Sequence, residues 1–435
     1  MSQNLPIAGI ALALCQFAYA QAPPDNAAPL RLTLQDALER AQKYSQQTLT
    51  ANIAALLARE DTVQAKAALL PSVNGLSQYI YTQSNGTATG VYVPNDGVHI
   101  YNDQAQVHAD LFTPVKRADY HRTMAAEAAA RAKADLATRG LIGTVMSDYY
   151  AMAVAVRKLH NAGLSVADAE KFLDITDKQE KGGEVAHSDT VKARLQLNDR
   201  KRDQQEAQLV VDKARIGFAV LLFPDYQTNF TVVDDLDSLA PLPDYGQVQT
   251  LAGKNSPDIR AAQATVLEQD YERRSAKAEM LPEVSLDYFF GISANEFAVH
   301  DPQGHNLLGS GVQAQLTVPL WTWGAARSRV KAADLKLQQA RNDLSYTQRN
   351  LLASLDAFYR EAALARTQLA SLHESVDLSQ QSLDLTTLRY QAGEVSVLEV
   401  VDAQNSARDA RNALDDGLAR YRVAIGSLQT LTGAF

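Results

Sequence analysis

The chain has 435 residues, of which 46% are hydrophobic and 21% charged, and its formal net charge is −9. That balance excludes a disordered chain and a bundle of membrane-spanning helices. An acidic chain with no long basic run also lacks the cationic footprint that nucleic acid requires.

The N-terminus, residues 1–20, reads as a secretory signal peptide. Ile7 to Leu14 is an apolar core too short to cross a bilayer, and Ala18-Tyr19-Ala20 supplies a small-x-small cleavage site, although Met1 to Asn4 carries no Lys or Arg. Cys15 is the only cysteine, and Leu14 precedes it where a lipid-modified cysteine takes a small residue. Plain cleavage without lipidation is expected, leaving a mature chain with no disulfide, thiol chemistry or cysteine metal site. No later apolar run reaches the ~18 residues of a membrane helix, so any membrane entry has to use strands of a closed barrel.

Residues 21–31 read as an extended, Pro/Ala-rich segment. Residues 32–224 form a first structural repeat. Thr33 is a plausible N-cap, and one helix is expected from there to about Leu70, before Pro71. Two stretches with period-two alternation follow, at about 72–83 and 101–112. In the first, Val73, Gly75, Ser77, Tyr79 and Tyr81 share a face. In the second, Ala105, Val107, Ala109 and Leu111 alternate with Gln104, Gln106, His108 and Asp110. Asn85-Gly86, Pro94 and Asn95-Asp96-Gly97 between them predict an exposed loop. A helix of ~100 Å is expected from Val115 to Lys181. Ile142, Val145, Tyr149, Met152, Val156, Leu159, Gly163 and Val166 step alternately by three and four, as a coiled-coil seam does. The chain turns at a tip near 182–188, returns as helix to Phe223-Pro224, and crosses a linker at 225–245.

Residues 246–435 repeat this plan. Ala68-Leu69-Leu70-Pro71 pairs with Glu279-Met280-Leu281-Pro282, and Gly183-Glu184-Val185 with Gly393-Glu394-Val395, at an offset of about 210 that marks an internal duplication. The second pair of strands, at about 283–293 and 311–321, alternates cleanly between an apolar and a polar face, as a transmembrane barrel strand does. Trp321 and Trp323 close the last strand as candidate membrane-interface aromatics, followed by Arg327, Arg329 and Lys331. The next long helix carries two overlapping apolar stripes, one through Leu351, Leu355, Phe358, Ala362, Ala365 and Leu369, the other through Leu352, Tyr359, Arg366 and His373. Two stripes imply neighbours on both sides. After a second tip near 392–398, a heptad from Ala403 through Leu418 to Leu428 ends the chain.

Four strands cannot close a membrane barrel, which takes about eight. A homo-oligomer is therefore expected, with eight strands from two copies or twelve from three. Leu32-Thr33-Leu34-x-x-Ala37-Leu38, Leu70-Pro71, Leu281-Pro282, Val318-Pro319-Leu320-Trp321-x-x-Gly324 and Arg389-Tyr390-x-x-Gly393, with Glu399 and Asp402-Ala403-Gln404 behind it, occur in that order. In this duplicated plan the chain resembles the TolC-type outer membrane efflux proteins of Gram-negative bacteria.

The resemblance implies a mainly α fold with transmembrane β-strands. In it a homotrimeric 12-stranded outer membrane β-barrel is continuous with a long periplasmic α-helical coiled-coil barrel. It implies a passive exit duct of a tripartite efflux pump, with a periplasmic membrane fusion (adaptor) protein as partner and, behind it, an inner membrane pump of RND, MFS or ABC type. The same fold serves type I protein secretion, which stays open here, whereas a periplasmic coiled-coil adaptor would carry a single hairpin. The resemblance also assigns roles. Glu399 and Asp402 match the acidic ring of the periplasmic gate, Tyr390 and Asp189 its latch, and Gly183, Val185, Gly393 and Val395 the adaptor-docking tips. The family's basic latch residue is replaced by Val395, and its usual aspartate by Glu399. No enzyme activity, cofactor or metal is expected. His300 and His305 are scattered, and Gly309-Ser310-Gly311 opens a strand and not a phosphate-binding helix.

Overall fold

The computed structural model describes residues 29–81, 99–294 and 296–433. The expected signal peptide, Cys15, most of the 21–31 segment and the loop expected between the first two strands lie outside the described residues.

The chain runs β1 (Leu30–Leu32), α1 (Leu34–Tyr44), α2 (Gln46–Ala67), β2 (Ser72–Tyr81), β3 (His99–Phe112), α3 (Pro114–Lys181) and α4 (His187–Leu222), then β4 (Phe230–Val232), α5 (Tyr245–Asn255), α6 (Pro257–Ala278), β5 (Glu283–Ala294), β6 (Leu308–Thr317), α7 (Ala325–Gln391) and α8 (Val397–Thr432). Thr33 caps α1 as expected, in a reciprocal capping box: its hydroxyl accepts from Asp36 N at 3.2 Å, and Asp36 accepts from Thr33 N at 3.0 Å. The single helix expected to Leu70 is instead broken at Ser45, which is extended (φ −65°, ψ 119°). Ser256 breaks the second copy in the same way (φ −62°, ψ 121°), and there the serine hydroxyl caps α6 ahead of Pro257. The break frees α1 to lie on α3 and α4 while α2 follows α3, and in the second copy α5 packs on α7 and α8 while α6 follows α7.

The strands form one antiparallel sheet in the order β2-β3-β5-β6. Its register places Val73, Val107 and Tyr288 in a row across one face, and Ser72, His108, Asp287 and Gln313 in a row across the other. On the polar face Gln106 Nε2 donates to Asp287 at 3.0 Å and His108 Nδ1 lies 2.7 Å from the same carboxylate. Among the described residues β2 and β6 are the free edges. The last strand stops at Thr317, four residues short of the expected 321, because Pro319 has no N–H for the ladder. Trp321 and Trp323 therefore lie beyond the strand, in the passage to α7.

The α3 and α7 helices, 68 and 67 residues long, each extend ~100 Å from the sheet to a tip. Near the sheet the helices pack side by side in the order α2, α3, α6, α7; toward the tips the order is α4, α3, α8, α7. The α8 seam is buried as expected at Ala403, Ala407, Leu418, Tyr421, Ile425 and Leu428. The α3 seam is buried from Ile142 to Met152, but Val156 is 44% exposed, and burial passes to Asn161, Ser165, Val166, Ala169 and Phe172. With α4 on one side and α8 on the other, α3 needs two stripes, and the contact line crosses from one to the other. On α7 the stripe through Leu351, Leu355, Ala362, Ala365 and Leu369 is buried, while Leu352 and Phe358 are exposed.

The core sits where the linker crosses the helices. β1 and β4 pair in parallel, Leu30 with Phe230 and Leu32 with Val232. Three-residue strands are too short to show a period, so neither was expected, and β4 lies inside the expected 225–245 linker. Leu32, Tyr149, Phe218, Phe230, Leu236 and Tyr421 are all nearly fully buried there. The Tyr149 hydroxyl donates to Val233 O and the Tyr421 hydroxyl to Ala240 O, both at 2.6 Å. Arg157 straps the linker to α3 through Asp234 (2.9 Å) and Asp237 (2.7 Å), and Arg422 holds Asp235 from α8.

Candidate functional site: the paired hairpin tips

The two tips are built alike. At the first, Gly183 has φ +77°; its N–H donates to Glu180 O at 2.9 Å, and Glu184 N–H to Gln179 O at 2.8 Å. At the second, Gly393 has φ +76°; its N–H donates to Tyr390 O and Glu394 N–H to Arg389 O, both at 2.9 Å. Both are Schellman motifs, in which a left-handed residue lets two N–H groups satisfy the last carbonyls of the helix. Glycine takes that conformation without a Cβ penalty, which explains a Gly at each tip.

The return helices start differently. Ser396 caps α8 in a capping box: Glu399 Oε1 accepts from Ser396 N at 3.1 Å and from its hydroxyl at 3.2 Å. Ala186 stands at the same place before α4 and has no side-chain cap. The Ser-x-x-Glu spacing of a capping box is legible in the sequence and gives Glu399 a structural role beside its charge. Glu399 and Asp402 are both exposed at the start of α8, while Val397 and Val400 between them are buried. The two carboxylates therefore share the solvent face of the helix.

Beneath the turns is a small apolar core shared by both hairpins. Phe172, Ala193, Tyr390, Val397 and Val400 are buried, with Val185, Val395, Leu173, Ile175 and Val401 packed against them. Phe172 meets the Tyr390 ring edge-on at 5.0 Å. Phe172 joins the hairpins, and the sequence shows it only as one residue of a long helix because its partner lies more than two hundred residues away. Val395, where the resemblance implies a basic latch residue, is half-buried in this core, so its side chain contributes packing there. Gln179 Nε2 also donates across the hairpins to Gln391 O at 3.2 Å.

The expected bond between Tyr390 and Asp189 is not formed. The Tyr390 hydroxyl is buried without a hydrogen-bond partner among the described residues, and Asp189 lies 3.4 Å from Lys192. Burial pushes the Tyr390 pKa up; the Thr176 hydroxyl opposes this and the Asp189 charge adds to it. Above the tips, α3 and α8 are joined by polar groups inside their contact. Asn161 donates to Asp415 at 2.8 Å, and Arg157 lies 3.3 Å from the same carboxylate. Burial holds Asp415 above the ordinary carboxylate range, against the pull of Arg157 and Asn161, and holds Asp168 above it against Arg411 and Lys171.

Among known proteins, the family described as outer membrane efflux protein matches residues 249–434. Outer membrane protein OprJ of Pseudomonas aeruginosa is 26% identical over 73% of this chain, an alignment that spans 66% of OprJ. Outer membrane protein TolC of Vibrio cholerae is 22% identical over 85% of this chain and 83% of its own length. The crystal structure of the Campylobacter jejuni CmeC outer membrane channel shares the fold with a TM-score of 0.81 at 16% identity, covering 100% of this chain and 94% of that one. The outer membrane efflux protein family thus matches the second repeat of this chain, and the fold is shared along the whole chain with a solved outer membrane channel.

Proposed function

We propose that this chain is the outer membrane channel of a tripartite efflux pump, a passive exit duct for small molecules across periplasm and outer membrane. The observation that carries the reading is a four-stranded antiparallel sheet with two free edges, one apolar and one polar face, joined directly to helical staves of ~100 Å. In lipid every backbone polar group needs a partner, so free edges require other copies. β2 and β6 run in opposite directions, so edge-to-edge pairing continues the antiparallel ladder, and three copies give twelve strands. The exposed apolar side chains of α4 (Leu195, Val220) and α7 (Leu378, Leu385) lie on the outer staves, where a neighbouring copy would cover them.

Glu399 and Asp402 of three copies would place six carboxylates around the periplasmic opening. Such a ring attracts cations and titrates as a coupled group. Tyr390 and Asp189 serve as latch in a state where Asp189 leaves Lys192 and the buried hydroxyl gains a partner. The tips at Gly183, Val185, Gly393 and Val395 meet a periplasmic adaptor through the turn backbone, since both valines are half-buried. The adaptor ties the duct to an inner membrane pump.

The reading is tested by extracting the protein from outer membranes. A heat-stable oligomer of three chains that conducts ions in planar bilayers is expected, and a deletion strain should become more sensitive to drugs or toxic metals. A non-conducting monomer would refute the reading.

A further inference from the structure

Trp321 and Trp323 are the only tryptophans in the chain. They are 75% and 89% exposed, and their rings meet edge-on at 5.7 Å. Trp323 is the one non-glycine among the described residues with positive φ (+52°), and Gly324 follows at +82°. A bulky residue rarely adopts that backbone, and the conformation persists where its surroundings reward it. A turn bond from Ala325 N to Thr322 O (2.9 Å) and the start of α7 hold the pair outward.

Both indoles lie in the passage from the edge strand β6 to α7, beside a recess that Glu279 and Met280 also line. They stand past Pro319, on the helical side of the junction and not on the barrel strand. On the opposite flank α2 passes into the other edge strand, β2, and that junction carries Leu70 and Val73, 63% and 71% exposed. We propose that the Trp321–Trp323 pair docks on Leu70 and Val73 of a second copy, clasping the ring where barrel meets helices. The clasp rests on the reading of this chain as a ring of copies. Pro319 ends the backbone ladder, so side chains have to close the seam from that point, and two indoles offer the area to do so.

The experiment uses the full chain in a Cys15→Ser background. Leu70→Cys with Trp323→Cys, and separately Val73→Cys with Trp321→Cys, are oxidised in native outer membranes. The expected result is covalent dimers and trimers on a denaturing gel for the double variants and none for the single ones. Because no other tryptophan is present, the intrinsic fluorescence of the unsubstituted protein reports this pair alone. Its emission should be blue-shifted in the oligomer and unchanged by brominated phospholipids. Failure of both cysteine pairs to cross-link within an intact oligomer, or strong quenching by brominated lipid, overturns the clasp and assigns the indoles to the bilayer. Absence of any oligomer overturns both the clasp and the ring on which it rests.

Discussion

Replacing Gly393 isolates one term of the tip's stability. A Cβ built there meets nothing within 4 Å, so Gly393→Ala makes no clash and its cost is that of a left-handed backbone alone. For an L-residue that cost is ~1–2 kcal/mol. It falls on the turn closed by Glu394 N–H to Arg389 O at 2.9 Å. If this bond breaks by local opening of the tip, amide exchange at Glu394 should accelerate by about 5- to 30-fold. Gly393→Asn should cost less, because asparagine tolerates this region, and Gly393→Val more, because a β-branched side chain does not. Gly183 has the same φ and the same open surroundings, so its series should run in parallel at the Glu184 amide. Hydrogen exchange followed by mass spectrometry reads both tips in one protein. If alanine exchanges as glycine does, or asparagine costs as much as valine, the left-handed residue is not what holds the turn.

Three other outcomes follow from the tip and the helices above it. Glu399→Gln with Asp402→Asn keeps the capping geometry while removing both charges, and should lower cation preference in planar bilayers; an unchanged reversal potential would remove these residues from the constriction. Phe172→Ala opens a cavity in the core shared by the hairpins, at a local cost of ~3–5 kcal/mol. It should raise basal conductance and tip exchange, whereas Phe172→Leu should do so far less. Asp415 and Asp168 have raised folded pKa values, so the folded chain holds their protons more tightly than the unfolded chain does. Their contribution is fully present below the unfolded value of ~3.9 and is lost as pH rises through the higher folded values. Asp415→Asn should flatten that loss in thermal melts taken across the acid range, and an unaltered pH profile would count against it.

The features legible in sequence are those written in long periods or in glycine. Strand faces, tip positions and the course of α3 and α7 come from repeats of two and of three-and-four, which many residues report together. The features that escaped rest on one residue or on distant pairs. Ser45 breaks a helix whose apolar pattern runs on through it, although Ser256-Pro257 showed a cap and a helix-starting proline in the second copy. β1 and β4 are joined by three pairings separated by some two hundred residues. The resemblance matches Asp189 and Tyr390 by position alone, but a hydroxyl's partner depends on ångström-scale packing, and Phe172 occupies the flank of Tyr390. Glu399 shows how a residue read for its charge can also hold a backbone.

The duplication makes the seam inside the chain a template for the seam between copies. Within the chain, α3 of the first repeat lies against α8 of the second; between copies, α7 would lie against the next α4. Shifting by the 210 residues that separate Gly183 from Gly393 carries Phe172 to Ser382 and Tyr390 to Glu180. The internal seam thus has an aromatic pair near its tip, and the matching positions of the other seam are a serine and a glutamate. In a ring of copies the paired hairpins of one chain would therefore be the stiffer unit, and the ring would part along the joints that lack this aromatic pair.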